Sequence, residues 1–266
     1  MQTALITGAT DGIGCATARE LLQRGWHVLA HGRNEAKARN LLRKLTPKNT
    51  KATPVWGDFA VMTEVVDLSA QVKAEVATLD VLVNNAGIYA DTQQFNADGF
   101  EMSMAVNYFS PFLLTHHLLE TLIRAGNARI VTVSSMTHSG ASLDVNNLRF
   151  DNGWSSYAAY STSKLANILF SNRLAMDLKR TKVTANALHP GVIGTKLLRQ
   201  GFGMGGGSVQ DGARCSIFLA TSPKVARVSG KYFIDCREQK SSAKARDARL
   251  GSNLWETSLR LLEHYL

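Results

Sequence analysis

Several features are scarce in this sequence, and each scarcity closes a door. No apolar run approaches the roughly 20 residues that a membrane-spanning helix requires, so no spanning segment is expected. The opening Met1-Gln2-Thr3-Ala4-Leu5-Ile6-Thr7 lacks the basic start of a signal peptide. Cysteines number only three, Cys15, Cys215 and Cys236. Odd in number and widely spaced, they form neither a disulfide framework nor a Cys-x-x-Cys metal pair, and they point to a reducing, cytoplasmic compartment. His116 and His117 have no third ligand at metal-binding spacing, so no metal is expected. The net charge is +9, yet lysines and arginines form no arm or dense block. Nucleic-acid binding is therefore not expected, and the basic surface serves solubility or attracts an anionic cofactor or membrane headgroups.

Hydrophobic residues make up 45% of the 266 residues, enough for a sizeable core. The length suits one α/β domain spanning 1–266. Apolar runs alternate with helical stretches. Strands are expected at Thr3–Thr7, His27–Ala30, Thr53–Trp56, Val81–Asn84, Arg129–Ser134, Val183–Leu188 and Tyr232–Ile234. Helices are expected at Gly14–Arg24, Glu35–Leu45, Thr63–Ala77, Phe100–Ile123 (kinked near Pro111) and Tyr157–Arg180. This order predicts a Rossmann fold: a doubly wound, seven-stranded parallel sheet with helices on both faces. Ligands bind such sheets beyond the carboxyl ends of the strands, where strand order reverses. The Gly-rich patch Gly201–Gly207 reads as a mobile loop.

After the first strand comes Thr7-Gly8-Ala9-Thr10-Asp11-Gly12-Ile13-Gly14. Glycines let the backbone turn sharply and approach a phosphate closely, while the next helix aims its free N–H groups and positive dipole end at it. Gly8, Thr10, Asp11, Gly12, Ile13 and Gly14 are therefore cofactor-binding candidates. The end of the second strand reads Leu29-Ala30-His31-Gly32-Arg33-Asn34. An acid there would accept from the ribose hydroxyls of NAD and repel a 2′-phosphate; an arginine would pair with that phosphate. No acid is present and Arg33 follows, so NADP (NADPH) is the expected cofactor.

Tyr160-Ser161-Thr162-Ser163-Lys164 puts a phenol and an ammonium on one helix face, four residues apart. Tyrosine ordinarily loses its proton near pH 10, too high for acid–base work at neutral pH. A neighbouring ammonium and a nicotinamide cation would both lower that value. Tyr160 would then give a proton to a carbonyl oxygen or take one from an alcohol. Tyr157 is out of register with Lys164.

Thr-Gly-x-x-x-Gly-x-Gly, Asn84-Asn85-Ala86-Gly87, Val133-Ser134-Ser135 and Tyr-x-x-x-Lys together resemble the short-chain dehydrogenase/reductase family. The resemblance implies further roles. Asp58, with Phe59 beside it, would meet the adenine; the other reading of Asp58 is a helix N-cap. Asn85, Ala86 and Gly87 would border the cofactor. Ser135 would donate to the substrate oxygen, whereas Ser134 would face the other side of the strand and support the backbone. Asn107 would hold a water that relays protons to Lys164. Pro190 and Gly191 force a turn over the nicotinamide, with Val192 at its carboxamide and Thr195 at phosphate or amide. His189 reads as structural. Some NADP-using relatives carry a basic residue just before the middle glycine, where this sequence has Asp11.

The long interval from Ser135 to Tyr160, with His138-Ser139-Gly140, Ser163-Lys164-Leu165-Ala166-Asn167 and Leu254-Trp255, resembles the branch containing retinol dehydrogenases and the WW-domain oxidoreductases. That branch implies hydrophobic carbonyls or alcohols as small-molecule substrates. Many retinol dehydrogenases carry an N-terminal membrane anchor; this sequence opens on the first strand, which weighs against a retinoid. The segment 197–210 and the insertion 136–156 are expected to close a mainly apolar pocket as a mobile lid. Family relatives pair through the helix bearing the tyrosine and the long helix before the fifth strand, so a homodimer or homotetramer is expected. The alternative function is a non-catalytic NADP-binding sensor or scaffold; intact Asn107, Ser135, Tyr160 and Lys164 argue against it.

Overall fold

A computed structural model describes residues 1–45 and 50–266. Its strands are β1 (Thr3–Ile6), β2 (His27–Gly32), β3 (Ala52–Trp56), β4 (Val81–Asn84), β5 (Arg129–Val133), β6 (Thr184–His189), β7 (Tyr232–Ile234) and β8 (Arg237–Gln239). They form one sheet in the order β3-β2-β1-β4-β5-β6-β7-β8. Pairs from β3 to β7 are parallel, and β8 runs antiparallel to β7. The sheet thus has eight strands rather than the expected seven. Arg-Glu-Gln in β8 is exposed along its length and has no apolar pattern to betray it. A two-residue turn, Asp235–Cys236 with φ of 50° and 59°, returns the chain to make this edge strand.

Strand residues alternate between two cores. Leu5, Leu29, Leu82 and Ile130 face one apolar cluster, while Ala4, Ile6, Val28, Val83 and Val131 face another. The first is covered by α3 (Met62–Glu75), α5 (Ser110–Arg124), α6 (Ser156–Asp177) and α9 (Ala248–Leu261); the second by α1 (Gly12–Gln23), α2 (Glu35–Leu45) and α8 (Val209–Thr221). Both faces of the central strands are therefore buried, as a parallel sheet demands.

The long helix expected over 100–123 is composite. A short turn α4 (Met102–Met104) leads into a π-helical turn, Ala105–Phe109, and then α5. In that turn the Ser110 N–H reaches back to the Ala105 carbonyl. The irregularity lies just ahead of Pro111, whose ring would clash with the carbonyl four residues back in a regular helix. The expected loop over Gly201–Gly207 begins inside a helix, α7 (Lys196–Phe202), which Gly203 ends with φ of 61°. Helices α8 and α9 were not anticipated. Each has a side-chain cap, Ser208 accepting from the Asp211 N–H and Asp247 from those of Arg249 and Leu250. No helix among the described residues is long and apolar enough to cross a membrane.

Helix α9 packs across α6 and α5. Trp255 stacks on Phe170 and meets Phe112 edge-on, and the Tyr265 carbonyl bonds His117 Nε2 at 2.7 Å. The chain's own C-terminal segment therefore lies on the two helices through which pairing was expected. Fully buried Tyr108 on the π turn shares a 2.8 Å hydrogen bond with Ser258 of α9, and Ser258 donates to the Leu254 carbonyl. Ser258→Ala should leave the phenol unpaired and lower unfolding stability by about 1–3 kcal/mol. In urea titrations, Tyr108→Phe combined with Ser258→Ala should lose less than Ser258→Ala alone; an equal or larger loss would show that this bond does not dock α9.

Candidate active site

Strand order reverses between β1 and β4, and a cavity of about 750 Å³ opens beyond their carboxyl ends. Every expected cofactor and catalytic residue except Asn107 lines it. Main-chain proximity shapes its floor. Gly8 has φ of 64°, and a Cβ there would come within 2.9 Å of Ala86 Cα. A Cβ on Gly14 would fall 2.3 Å from the Gly8 carbonyl oxygen and 2.5 Å from Asn85 Nδ2. Thr7 Oγ1 accepts from the N–H groups of Asn85 and Ala86 at 2.9 and 3.0 Å, and Asn85 Nδ2 donates to the Thr7 carbonyl at 2.8 Å. The loops after β1 and β4 are thus fused. Asp11 caps α1, its Oδ1 accepting from the Gly12 N–H at 2.8 Å. Ile13 and Gly14 bring first-turn N–H groups, which have no intrahelical partner, to the cavity wall. That cradle fits a dinucleotide pyrophosphate.

Sequence reasoning passed over His31. It is buried at the end of β2, its Nδ1 accepts from the Gly8 N–H at 3.1 Å, and its Nε2 therefore donates to the Gly57 carbonyl at 2.9 Å. Its ring stacks on Phe59 at 4.7 Å. Burial drives the imidazole down to about 4, so it works as a neutral tie between three cofactor loops. A polar side chain directly after the apolar run Val28–Ala30 was the available signal. The Phe59 ring belongs to the core, and its carbonyl accepts from Ser110 Oγ at 2.6 Å. Asp58 is not the cap of α3, whose N-cap is Val61; its Oδ1 accepts from the Ala60 N–H at 3.0 Å. Arg33 lies 3.9 Å from Asp58, largely exposed at the rim.

Tyr160 projects from α6, only 6% exposed, with Ser135 as the neighbour that favours its phenolate. Tyr157 is half-exposed and lies off the cavity wall. Lys164 Nζ sits 5.6 Å from the Tyr160 ring centre and donates to the Val133 carbonyl at 3.2 Å. Burial pushes the phenol up to about 12 despite the opposing pull of Ser135, and it pushes the ammonium down to about 8. The expected acidification of Tyr160 is therefore not produced by the protein's own groups: desolvation opposes the phenolate and outweighs the pull of Ser135. Ser134 Oγ donates to the Lys164 carbonyl at 2.7 Å, the supporting role expected of it.

Asn107 stands behind this pair. Its Oδ1 accepts from the Ile88 N–H at 2.8 Å, and its Nδ2 donates to the Ile88 carbonyl and Ser163 Oγ, both at 3.0 Å. Asn107 thus braces the β4 loop against α6. A Cβ on Gly87 would come 3.3 Å from Asn107 Oδ1 and 3.4 Å from Lys164 Nζ. Thr195 caps α7 by accepting from the Leu198 N–H at 3.2 Å. His189 Nδ1 accepts from the Met136 N–H at 3.3 Å, a structural task.

The outer wall is apolar and aromatic. Tyr89, Tyr160 and Phe202 cluster with ring centres 5.1–6.0 Å apart. A Cβ on Gly201 would fall 2.6 Å from Tyr89 Cγ, so only glycine lets α7 lie on that ring. The patch after α7 is tied by backbone bonds between Gly207 and both Val192 and Gly194, each 2.9 Å. Of the insertion 136–156, only Met136 and Thr137 reach the cavity. The remainder packs elsewhere, Trp154 donating to buried Glu101 at 3.2 Å.

A family model described as short chain dehydrogenase matches residues 2–202. Human retinol dehydrogenase 14 is 36% identical over 97% of this chain and 85% of its own length. Human polyprenol dehydrogenase is 36% identical over 98% of this chain and 84% of its own. Among solved structures, an uncharacterised protein from Mycobacterium paratuberculosis superposes with a TM-score of 0.83 at 30% identity, covering 99% and 94% of the two chains. A gluconate 5-dehydrogenase from Burkholderia cenocepacia, in complex with NADP and tartrate, gives 0.73 at 26% identity, covering 88% and 94%.

The His31 tie carries a pH signature. The unfolded imidazole takes up its proton near 6.5 and the folded one only near 4. Between those values the unfolded state holds more protons, so stability is present above pH 6.5 and falls with pH, by about 3 kcal/mol from this residue once pH reaches 4. Thermal melts of wild type and His31→Gln across pH 4–7 should show a shallower slope in the variant; parallel slopes would place the proton uptake elsewhere.

Proposed function

This chain belongs to the short-chain dehydrogenase/reductase family, in its retinol dehydrogenase branch, and from that premise we propose that it reduces hydrophobic aldehydes or ketones, or oxidises the matching alcohols, with NADP(H). The observation that carries the reading is that Tyr160, Ser135 and Lys164 line one cavity that runs on to the glycine loop. Bound nicotinamide supplies or accepts the hydride, and its cationic form favours the phenolate. Ser135 and Tyr160 hold the substrate oxygen between two hydroxyls. At neutral pH Tyr160 carries its proton, the form that donates to a carbonyl oxygen. Lys164 lies beside it to hold ribose hydroxyls, and Asn107 fixes the loop behind both. Arg33, with no acid at the end of β2, supports a 2′-phosphate and hence NADP over NAD. Tyr89, Met102, Val106, Leu197, Phe202 and Met204 support an apolar substrate.

Purified protein should consume NADPH, followed at 340 nm, with aldehydes and ketones drawn from a panel that includes the oxidised forms of retinol and polyprenol. Tyr160→Phe should lower kcat by about 10²–10⁴-fold while NADPH still binds. Tight NADPH binding with no turnover across the panel would instead support the sensor or scaffold reading. The buried phenol also sets a direction-specific pH profile. Burial raises the phenol, and the cationic nicotinamide offsets part of that rise, so kcat/KM for oxidation should climb from pH 6 to 9 as the phenolate forms, while that for reduction should not. An oxidation profile flat over that range would show that another group takes the proton.

A further inference from the structure

Asp11 places a carboxylate at the mouth of the phosphate cradle, where it would repel a dinucleotide. The structure also brings it a cation from far along the chain. Lys196, the first residue of α7, sets its Nζ 2.7 Å from Asp11 Oδ2. That contact holds the Asp11 carboxyl below its ordinary value, and the Gly12 N–H adds to the effect. The preceding residue, Thr195, would touch a Cβ on Gly12 at 3.4 Å, so the start of α7 rests against the start of α1. Both charged groups line the cavity, with side chains 75% and 61% exposed.

A solvated ion pair of this kind is weakly held and easily exchanged. An ammonium on a four-carbon stem carries three donors and reorients without moving its backbone. Arg199 also bears on Asp11, but its Nη1 is tied to the Gly194 carbonyl at 3.0 Å. Lys196 is the cation placed to change partners.

We propose that Lys196 is a cofactor-binding residue, its ammonium passing from Asp11 to the pyrophosphate of the dinucleotide and thereby fastening α7 over the cavity. This rests on the NADP(H) reading above. Asp11 then acts as the competitor: it holds the lysine until the stronger anion arrives and sets a ceiling on affinity. The same helix carries Leu197 and Phe202 to the substrate wall, so cofactor binding and pocket closure share one contact.

The test is direct titration of NADPH and NADH by nucleotide fluorescence at two salt concentrations, without substrate. Lys196→Gln should weaken both cofactors by about 5–10-fold and flatten the salt dependence, as expected for loss of one charge-assisted phosphate contact. Asp11→Asn keeps a side-chain cap for α1 and should tighten both severalfold. The opposite signs separate this role from a merely structural ion pair, whose loss from either side would act alike. Lys196→Gln binding within twofold of wild type, or weakened binding in Asp11→Asn, would overturn the proposal. A loss confined to NADPH would overturn the pyrophosphate assignment and move the contact to the 2′-phosphate. Wild-type protein that binds neither nucleotide would remove the underlying reading itself, an outcome distinct from normal wild-type binding with an unaffected Lys196→Gln.

Discussion

The proposed chemistry depends on the withdrawal from water of one phenol and one ammonium, four residues apart on α6. Tyr160 and Lys164 are 6% and 4% exposed. Burial disfavours the charged form of each, raising the first and lowering the second. The protein therefore presents a protonated phenol and a lysine poised near neutrality. The charge that a bound nicotinamide brings into so dry a site acts at short range and with little screening. A solvent-exposed pair would respond far less to the cofactor's redox state.

Holding that pair requires a rigid crevice, and the rigidity comes from backbone contacts. Thr7 ties the β1 and β4 loops, His31 ties the β1, β2 and β3 loops, and Asn107 ties the β4 loop to α6. Each uses a short polar side chain to satisfy main-chain groups at strand ends, which would otherwise be buried without partners. The π-helical turn belongs to the same scheme. It accommodates Pro111 and sets Asn107 against the loop it braces.

The wall facing the substrate follows other rules. Segment 196–207 combines a short helix, aromatic contact with Tyr89 and a backbone strap to residues 192–194. Its attachment to the cofactor cradle runs through partly exposed charges, Asp11 and Lys196. Tight glycine packing at Gly14 and loose ionic contact at Lys196 divide the cavity into a fixed half and a half able to respond to what is bound.

The βαβ order, the glycine loop, the asparagine motif and the Tyr160–Lys164 pair could all be read from residues alone, because each depends on local spacing or on period-two and helical repeats. The same holds for the supporting role of Ser134, since alternate strand residues face opposite sides. What local spacing carries no trace of was decided by tertiary structure. The acidity of Tyr160 depends on burial among Tyr89 and Phe202, residues remote in sequence, and that burial works against the acidification expected from Lys164 and nicotinamide. The eighth strand, the helix within the glycine-rich patch and the docking of α9 over α5 and α6 each depend on a partner surface elsewhere in the chain. Lys196 became legible only when folding set it beside Asp11, because an ion pair spanning the chain follows no periodicity, only proximity.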